Sequence, residues 1–184
     1  MLESTDVPQR IPMSFDDYMA YDPGEGYRAE WADGVAIVTP PARIMHQYAG
    51  TALVVLFRQH LPGLMPLMDI GVRTAGSKYR IPDVTVIERL EDAVFTEQVP
   101  LIVVEVLSRS TRAEDTLRKS VEYLRAGVGQ YWIVDRDSRT LTVLANAEHE
   151  WTPLLELSDA NPTGEVAVGD HGTVPLDLPT ILGP

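Results

Sequence analysis

Residues 101–107, Leu-Ile-Val-Val-Glu-Val-Leu, constrain the fold more than any other stretch of this chain. Pro100 precedes the stretch and Ser108 follows it, and a run of β-branched residues between such breakers predicts a buried strand. Alternation along the strand places Glu105 on an otherwise apolar face, with Leu101, Val103 and Leu107. Burying an unpaired charge is costly, so Glu105 is expected to be neutral, paired or bound to a metal, unless the strand end lets it reach solvent.

The flanking sequence predicts helices and strands in alternation. N-terminal to the strand we expect a helix over 15–21 capped by Ser14, a hairpin over 27–39 turning at Asp33-Gly34, a helix over 43–60, and strands over 64–74, bent at Gly71, and 79–88. C-terminal to it we expect a helix over 113–126 ended by Gly127, then strands over 130–135, 140–145 and 150–157.

These elements predict a mixed α/β fold, a mixed β-sheet flanked by helices. The strand 101–107, the helix 113–126 and the strand 130–135 form a right-handed βαβ unit in this scheme. In the helix, Leu117, Val121 and Leu124 form an apolar stripe, and an adjoining face carries Asp115, Lys119, Glu122 and Tyr123.

The length of 184 residues predicts a single domain over 1–184. We expect an N-terminal arm over 1–12, a core over 13–157 and a C-terminal tail over 158–184. The tail is rich in glycine and proline, and it would add one short strand near 173–176.

Composition excludes several classes of site. The chain has no cysteine, so disulfides, thiolate metal sites and a cysteine nucleophile are ruled out. No run of eighteen apolar residues occurs, and the N-terminus is not basic and then apolar. We therefore expect no membrane span, no signal peptide and a cytoplasmic protein.

The net charge of −12 bears on the partner. Proteins that bind nucleic acid through phosphates usually present a basic surface. Either such a surface is local here, or nucleic acid is not the partner. Six basic residues in segments adjoining the proposed site would supply a local rim: Arg73, Lys78, Arg80, Arg109, Arg112 and Arg118.

Four charged residues are expected to converge near the end of the strand 101–107. Asp83 and Glu105 on neighbouring strands would form an oxygen site for Mg²⁺ or Mn²⁺. Lys119 on the following helix would supply a cation, and Glu30 projects from the hairpin. The alternative is structural, since Asp115 and Lys119 are spaced for a helix-surface salt bridge and Asp83 after Pro82 is a common turn device.

Several motifs occur in an order that resembles the Uma-two family of restriction-type endonucleases, within the PD-(D/E)XK nuclease superfamily. The resemblance covers roughly residues 13–150. The matching motifs are Tyr27-Arg28-Ala29-Glu30, His46-Gln47, Arg80-Ile81-Pro82-Asp83-Val84, Val103-Val104-Glu105-Val106-Leu107-Ser108, Ser110-Thr111, Asp115, Lys119, Tyr123 and Gly127 to Asp135.

The resemblance implies a restriction-endonuclease-like core and roles for individual residues. Asp83 and Glu105 would bind the metal together with the carbonyl of Val106. Leu107 occupies the usual position of the catalytic lysine, and Lys119 on the next helix would replace it. Glu30 would complete the acidic site, and the supporting residues would be His46, Asp115, Tyr123 and Gln130, the last where the family often has glutamate.

Three functions are consistent with this sequence. The first is a Mg²⁺-dependent (or Mn²⁺-dependent) endonuclease acting on DNA, which the resemblance implies is a homodimer. The second is a catalytically silent protein of nuclease fold that acts as a dimeric binding module, which the acidic charge favours. The third is a metal-dependent hydrolase of a small phosphate ester.

Overall fold

A computed structural model describes residues 7–74, 78–108, 112 and 114–183 of the chain. These residues form strands in three sheets together with short helices around one long one. The helices are α1 Phe15–Met19, α2 Ile44–His60, a π-helical segment Glu114–Lys119, α3 Ser120–Ala126 and α4 Leu178–Leu182. None of the helices in the described part of the chain combines the length and apolar character that crossing a bilayer requires.

The central sheet contains the strand predicted over 101–107, which is β9, Ile102–Leu107. The strand bounds are β4 Met65–Met68, β7 Val84–Ile87, β9 Ile102–Leu107, β10 Gln130–Asp135, β11 Thr140–Ala147 and β12 Glu150–Ser158. These strands lie in the order β12, β11, β10, β9, β7, β4, and β9 pairs in parallel with β10 and antiparallel with β7. The sheet is therefore mixed, and the mixed α/β class is confirmed.

The N-terminal sheet is a second six-stranded layer among the described residues, in the order β1, β3, β2, β6, β5, β8. Its bounds are β1 Gln9–Pro12, β2 Arg28–Ala32, β3 Val35–Thr39, β5 Gly71–Thr74, β6 Lys78–Arg80 and β8 Phe95–Thr96. The predicted hairpin is confirmed as β2 and β3. Asp33 and Gly34 both have positive φ, 53° and 79°, as a two-residue hairpin turn requires.

The prediction of single strands over 64–74 and 79–88 is wrong, because each stretch passes from one sheet to the other. Asp69, at φ 54°, separates β4 in the central sheet from β5 in the N-terminal sheet. Between β6 and β7 the break falls at Pro82, which has no amide hydrogen to donate to a ladder. Asp83 therefore lies where the chain crosses between the two sheets.

The main core lies on one face of the central sheet, under α2. Buried Leu53 and Phe57 of α2 belong to one cluster with Val104 and Trp132, and the rings of Phe57 and Trp132 meet edge to face at 5.1 Å. A third, two-stranded sheet, β13 Thr163–Ala167 and β14 Thr173–Asp177, and helix α4 complete this cluster. The expected short strand near 173–176 is confirmed as β14.

The opposite face of the central sheet is covered by the π-helical segment and α3, and here the apolar stripe is not the buried face. Leu117 is 70% exposed and Val121 is 44% exposed. The adjoining face is buried instead, with Lys119, Glu122 and Tyr123 directed into the protein. A polar helix face is buried only where partners satisfy its charges, so this orientation indicates a cluster of paired charges beneath the helix.

Candidate active site

Asp83 and Glu105 lie side by side at the end of β9. The Asp83 amide donates to the carbonyl of Val104 (3.1 Å), and the Val106 amide donates to Oδ2 of Asp83 (2.7 Å). Glu105 follows the alternation expected from the sequence, since Val104 and Val106 join the main core while Val103 packs with Tyr123 on the other face. Both carboxylates are buried.

Lys119 connects two of the predicted acids. Its Nζ lies 3.1 Å from Oε1 of Glu105 and 2.9 Å from Oε1 of Glu30. The hydroxyl of Tyr123, one helical turn further on, donates to Oε1 of Glu105 (2.7 Å). Lys119 ends the π-helical segment, a geometry that is often found at functional sites. The structure thus brings Glu30, Glu105, Lys119 and Tyr123 together.

Arg80 and Glu122 form a second layer that the sequence analysis missed as site residues. The guanidinium of Arg80 is fully buried and donates to Glu122 through Nε (2.6 Å) and Nη2 (2.9 Å), and to Oε2 of Glu30 through Nη1 (3.2 Å). The amide of Ile81 donates to the other oxygen of Glu30 (2.8 Å). Glu30 is therefore held between Arg80 and Lys119, and its orientation is set by both.

Asp83 contacts two further side chains, those of Arg28 and His46. Nη1 of Arg28 lies 3.1 Å from Oδ1 of Asp83 and also contacts Asp69. Nε2 of His46, in the first turn of α2, lies 2.9 Å from the same oxygen. That nitrogen is buried, and its geometry toward Asp83 is that of a close contact and not of a hydrogen bond.

The partners of these acids explain their ionisation. Burial alone would raise the pKa of Asp83, but His46, Arg28 and the amide of Val106 together lower it to about 2. Burial also opposes ionisation of Glu30, and Lys119, Arg80 and the Ile81 amide nevertheless hold its pKa below the ordinary value. For the Tyr123 hydroxyl, burial and the neighbouring Glu105 raise the pKa well above normal, so it remains a proton donor.

Of the predicted supporting residues, Gln130 lies away from the site. Gln130 opens β10 on the face opposite Glu105, where its Nε2 donates to the carbonyl of Ala167 (2.8 Å) and its Oε1 accepts from Trp132 (3.0 Å). It ties the central sheet to β13 because even-numbered positions of β10 face the main core. The side chain of Asp115 lies outside the described residues.

The proposed basic rim is largely committed to acidic partners. Arg80 is buried in the site, Lys78 contacts Asp33 and Glu122 (3.0 and 3.1 Å), and Arg112 pairs with Asp135. Arg73 is half-exposed and lies 3.3 Å from Glu97. Arg109 lies outside the described residues. The long-range pairs to Arg80 and Lys78 could not be seen in the sequence, because they join residues about forty positions apart.

The metal-binding capacity of the site rests on few donors. Within the residues that the structure describes, no group of three or more His, Asp and Glu side chains is placed to hold a metal ion. The available donors are the carboxylates of Asp83 and Glu105 and the carbonyl of Val106. The amide of Val106 donates to Asp83, so the backbone of Val106 adjoins that carboxylate. Mg²⁺ commonly uses one or two carboxylates and keeps several waters, so this small oxygen set fits its chemistry.

The comparisons with known proteins agree with this architecture. The crystal structure of a "putative nuclease belonging to DUF820" from Anabaena variabilis superposes with a TM-score of 0.74 at 18% sequence identity, covering 93% of this chain and 98% of that one. At this identity the likeness shows the fold, which is of restriction-endonuclease type. No curated protein matches the chain. The model of the Uma2 family, described as "Putative restriction endonuclease", matches residues 15–170, and the chain therefore belongs to that family.

Proposed function

We propose that this protein is a Mg²⁺-dependent endonuclease that hydrolyses DNA phosphodiester bonds. The observation that carries the proposal is the position of Lys119, buried between Glu105 and Glu30 beside Asp83. The helix buries Lys119 and leaves Leu117 exposed, so it gives up the stabilisation that burying an apolar side chain would contribute. A structural role alone does not require a buried lysine at this position. Family membership supports the same class of reaction.

The residues have separable roles in this proposal. Asp83, Glu105 and the Val106 carbonyl would hold the metal ion, which when bound would polarise a phosphoryl oxygen and lower the pKa of a bound water. Lys119 would place its ammonium near the attacking water or the developing negative charge. Glu30 would orient Lys119, and Tyr123 would fix the rotamer of Glu105 through its hydroxyl.

The first experiment is a calorimetric titration of Mn²⁺ into the wild type, Glu105→Ala and the control Asp170→Asn. Asp170 is exposed, in the turn between β13 and β14. We expect a binding signal that Glu105→Ala abolishes and Asp170→Asn retains. Equal binding by all three proteins would contradict a metal site at Glu105.

The second experiment measures cleavage of single-stranded and duplex DNA with Mg²⁺ by the wild type, Asp83→Ala, Glu105→Ala, Lys119→Ala and Asp170→Asn. Removing one catalytic group typically costs about 10²-fold or more in rate, so each of the three site variants should fall below detection while Asp170→Asn does not. Circular dichroism establishes that the variants are folded. Cleavage that persists in the folded Lys119→Ala protein would contradict the assignment.

A second candidate is a silent binding module of the same fold. It is favoured by one observation: the three acids of the site already have cationic partners, Asp83 with Arg28, and both glutamates with Lys119. A self-neutralised cluster needs no metal ion. The calorimetric titration separates the two functions, because this candidate predicts no signal in the wild type. A small phosphate ester as substrate would show instead as metal-dependent hydrolysis of such esters without DNA cleavage.

A further inference from the structure

A cleft of about 300 Å³ opens beside the acidic site, between α1, the segment leading into β2, and β8. Four of the ten residues that line it are aromatic, Tyr18, Tyr21, Tyr27 and Phe95. Tyr21, Tyr27 and Phe95 are only partly buried, so these rings are within reach of a ligand. Half-buried aromatic rings around an open cleft are suited to a flat apolar ligand.

Two residues of the cleft wall join it to the acidic site. Arg28 lines the cleft, and its Nη1 lies 3.1 Å from Oδ1 of Asp83. Ile81 lines it too, and its backbone amide donates to Glu30 (2.8 Å). A ligand in the cleft would therefore contact Arg28, which pairs with Asp83, and Ile81, whose amide donates to Glu30.

The aromatic rings and the guanidinium that line the cleft indicate the class of ligand it would bind. Nucleobases stack on aromatic side chains, and guanidinium groups bind phosphate oxygens. The volume is at the lower end of small-ligand sites, so a double helix cannot enter, whereas one unstacked nucleotide can. The net charge of −12 weakens any general attraction to a phosphate backbone, which leaves stacking as the available source of affinity.

We propose that this cleft binds the base of a single unstacked nucleotide, with its phosphate directed to Arg28 and so toward Asp83. The site would then act on single-stranded DNA, or on a nucleotide extruded from a duplex, in preference to continuous duplex. This inference rests on the proposed nuclease function for its biological meaning, but the binding itself requires neither metal nor cleavage.

The test is equilibrium binding of dTMP and dAMP in EDTA, followed by calorimetry, with ribose 5-phosphate as the ligand that lacks a base. The proteins are the wild type, Tyr27→Leu, Tyr21→Leu and the control Tyr48→Leu, which removes a half-exposed tyrosine of α2 outside the cleft. Stacking on one ring typically contributes about tenfold or more in affinity. We expect that loss in Tyr27→Leu or Tyr21→Leu, wild-type affinity in Tyr48→Leu, and at least tenfold weaker binding of ribose 5-phosphate.

Three results would overturn the proposal: no mononucleotide binding at millimolar concentration, equal binding of ribose 5-phosphate, or unchanged affinity in both cleft variants. Competition extends the test, since a single-stranded oligonucleotide should displace bound dTMP and a blunt duplex of the same sequence should not. Displacement by both to the same extent would also contradict it. Because EDTA is present, failure of the nuclease function would leave these outcomes unchanged, and the two failures are distinguishable.

Discussion

At the scale of single residues, Arg80 joins two acidic side chains of the site. Its guanidinium is fully buried and forms ion pairs with both Glu122 and Glu30. Removing one partner from a buried ion pair leaves uncompensated charge and typically costs about 3–5 kcal/mol. We expect Arg80→Met to lower the free energy of unfolding by about that amount, as measured by urea denaturation.

The matched control for this prediction is Arg139→Met. Arg139 pairs with Asp159 at 2.9 Å, but both side chains are exposed, at 41% and 63%. Exposed pairs contribute less than about 1 kcal/mol. A loss in Arg80→Met as small as in Arg139→Met would show that the buried network does not stabilise the fold.

Asp83 gives a prediction for the dependence of stability on pH. Its pKa is about 2 in the folded protein, against 3.8 for an unperturbed aspartate. A lowered pKa contributes stability that is fully present above about pH 4 and is lost as the pH falls through about 2. Between these values the wild type should lose about 2 kcal/mol more unfolding free energy than Asp83→Asn. Urea titrations in EDTA at several pH values measure the difference, and parallel profiles for the two proteins would refute it.

Local sequence predicts the environment of Glu105 but not that of Arg80. The burial of Glu105 was predictable, because its neighbours on both sides are large and apolar. The role of Arg80 was not, because its acidic partners arrive from β2 and α3, 50 and 42 positions away. An arginine in a three-residue strand looks the same in the sequence whether it faces solvent or a buried carboxylate.

At the scale of elements, the π-helical segment and α3 depart most from the expectation. Apolar periodicity identified Leu117 and Val121 as the stripe of this helix, yet both are exposed. Apolar periodicity identifies the helix face whose burial the hydrophobic effect favours. Here Glu105 lies beneath the helix, and the face with Lys119 and Tyr123 is buried because it supplies partners for that carboxylate. The signal in the sequence was the isolated Glu in an apolar strand, which requires a partner from the covering helix.

This orientation predicts opposite sensitivities on the two faces of the helix. Leu117→Gln should change the free energy of unfolding by less than about 0.5 kcal/mol, as exposed positions usually do. Tyr123→Phe removes one of the donors to Glu105 while keeping the ring, and a hydrogen bond to a charged group contributes about 1.5–3 kcal/mol. Urea denaturation of the two variants provides the comparison. A larger effect in Leu117→Gln would mean that the apolar stripe is covered in solution.

The crossings between the two sheets are the other element that the sequence left unresolved. Strand propensity continues through 64–74 and 79–88, so pattern alone does not divide them. The break at Pro82 had a local cause that was visible, since proline cannot donate to the ladder. The break at Asp69 depends on a positive φ at a non-glycine residue, which tertiary contacts impose. Asp83 directly follows the break at Pro82. Its position between the two sheets therefore depends on a crossing that the local sequence predicted only in part.

At the scale of the whole molecule, the C-terminal segment packs into the main core. Leu178 and Ile181 of α4 are fully buried with Leu53 and Phe57 of α2, in the cluster that also includes Val104 and Val106 beside the site. The sequence predicted a tail with one short strand because glycine and proline dominate its composition. Its apolar residues are spaced across β13, β14 and α4, and only their assembly forms a continuous surface.

Leu178→Ala therefore tests whether the tail supports the site. Deleting a fully buried leucine costs about 2–5 kcal/mol, whereas Leu154→Ala, at a position 48% exposed on β12, should cost much less. We expect urea unfolding of Leu178→Ala to show one transition at a lower midpoint, monitored both by tryptophan fluorescence and by circular dichroism. Two separated transitions, or a midpoint equal to that of Leu154→Ala, would indicate that residues 158–184 fold independently of the core that positions Glu105.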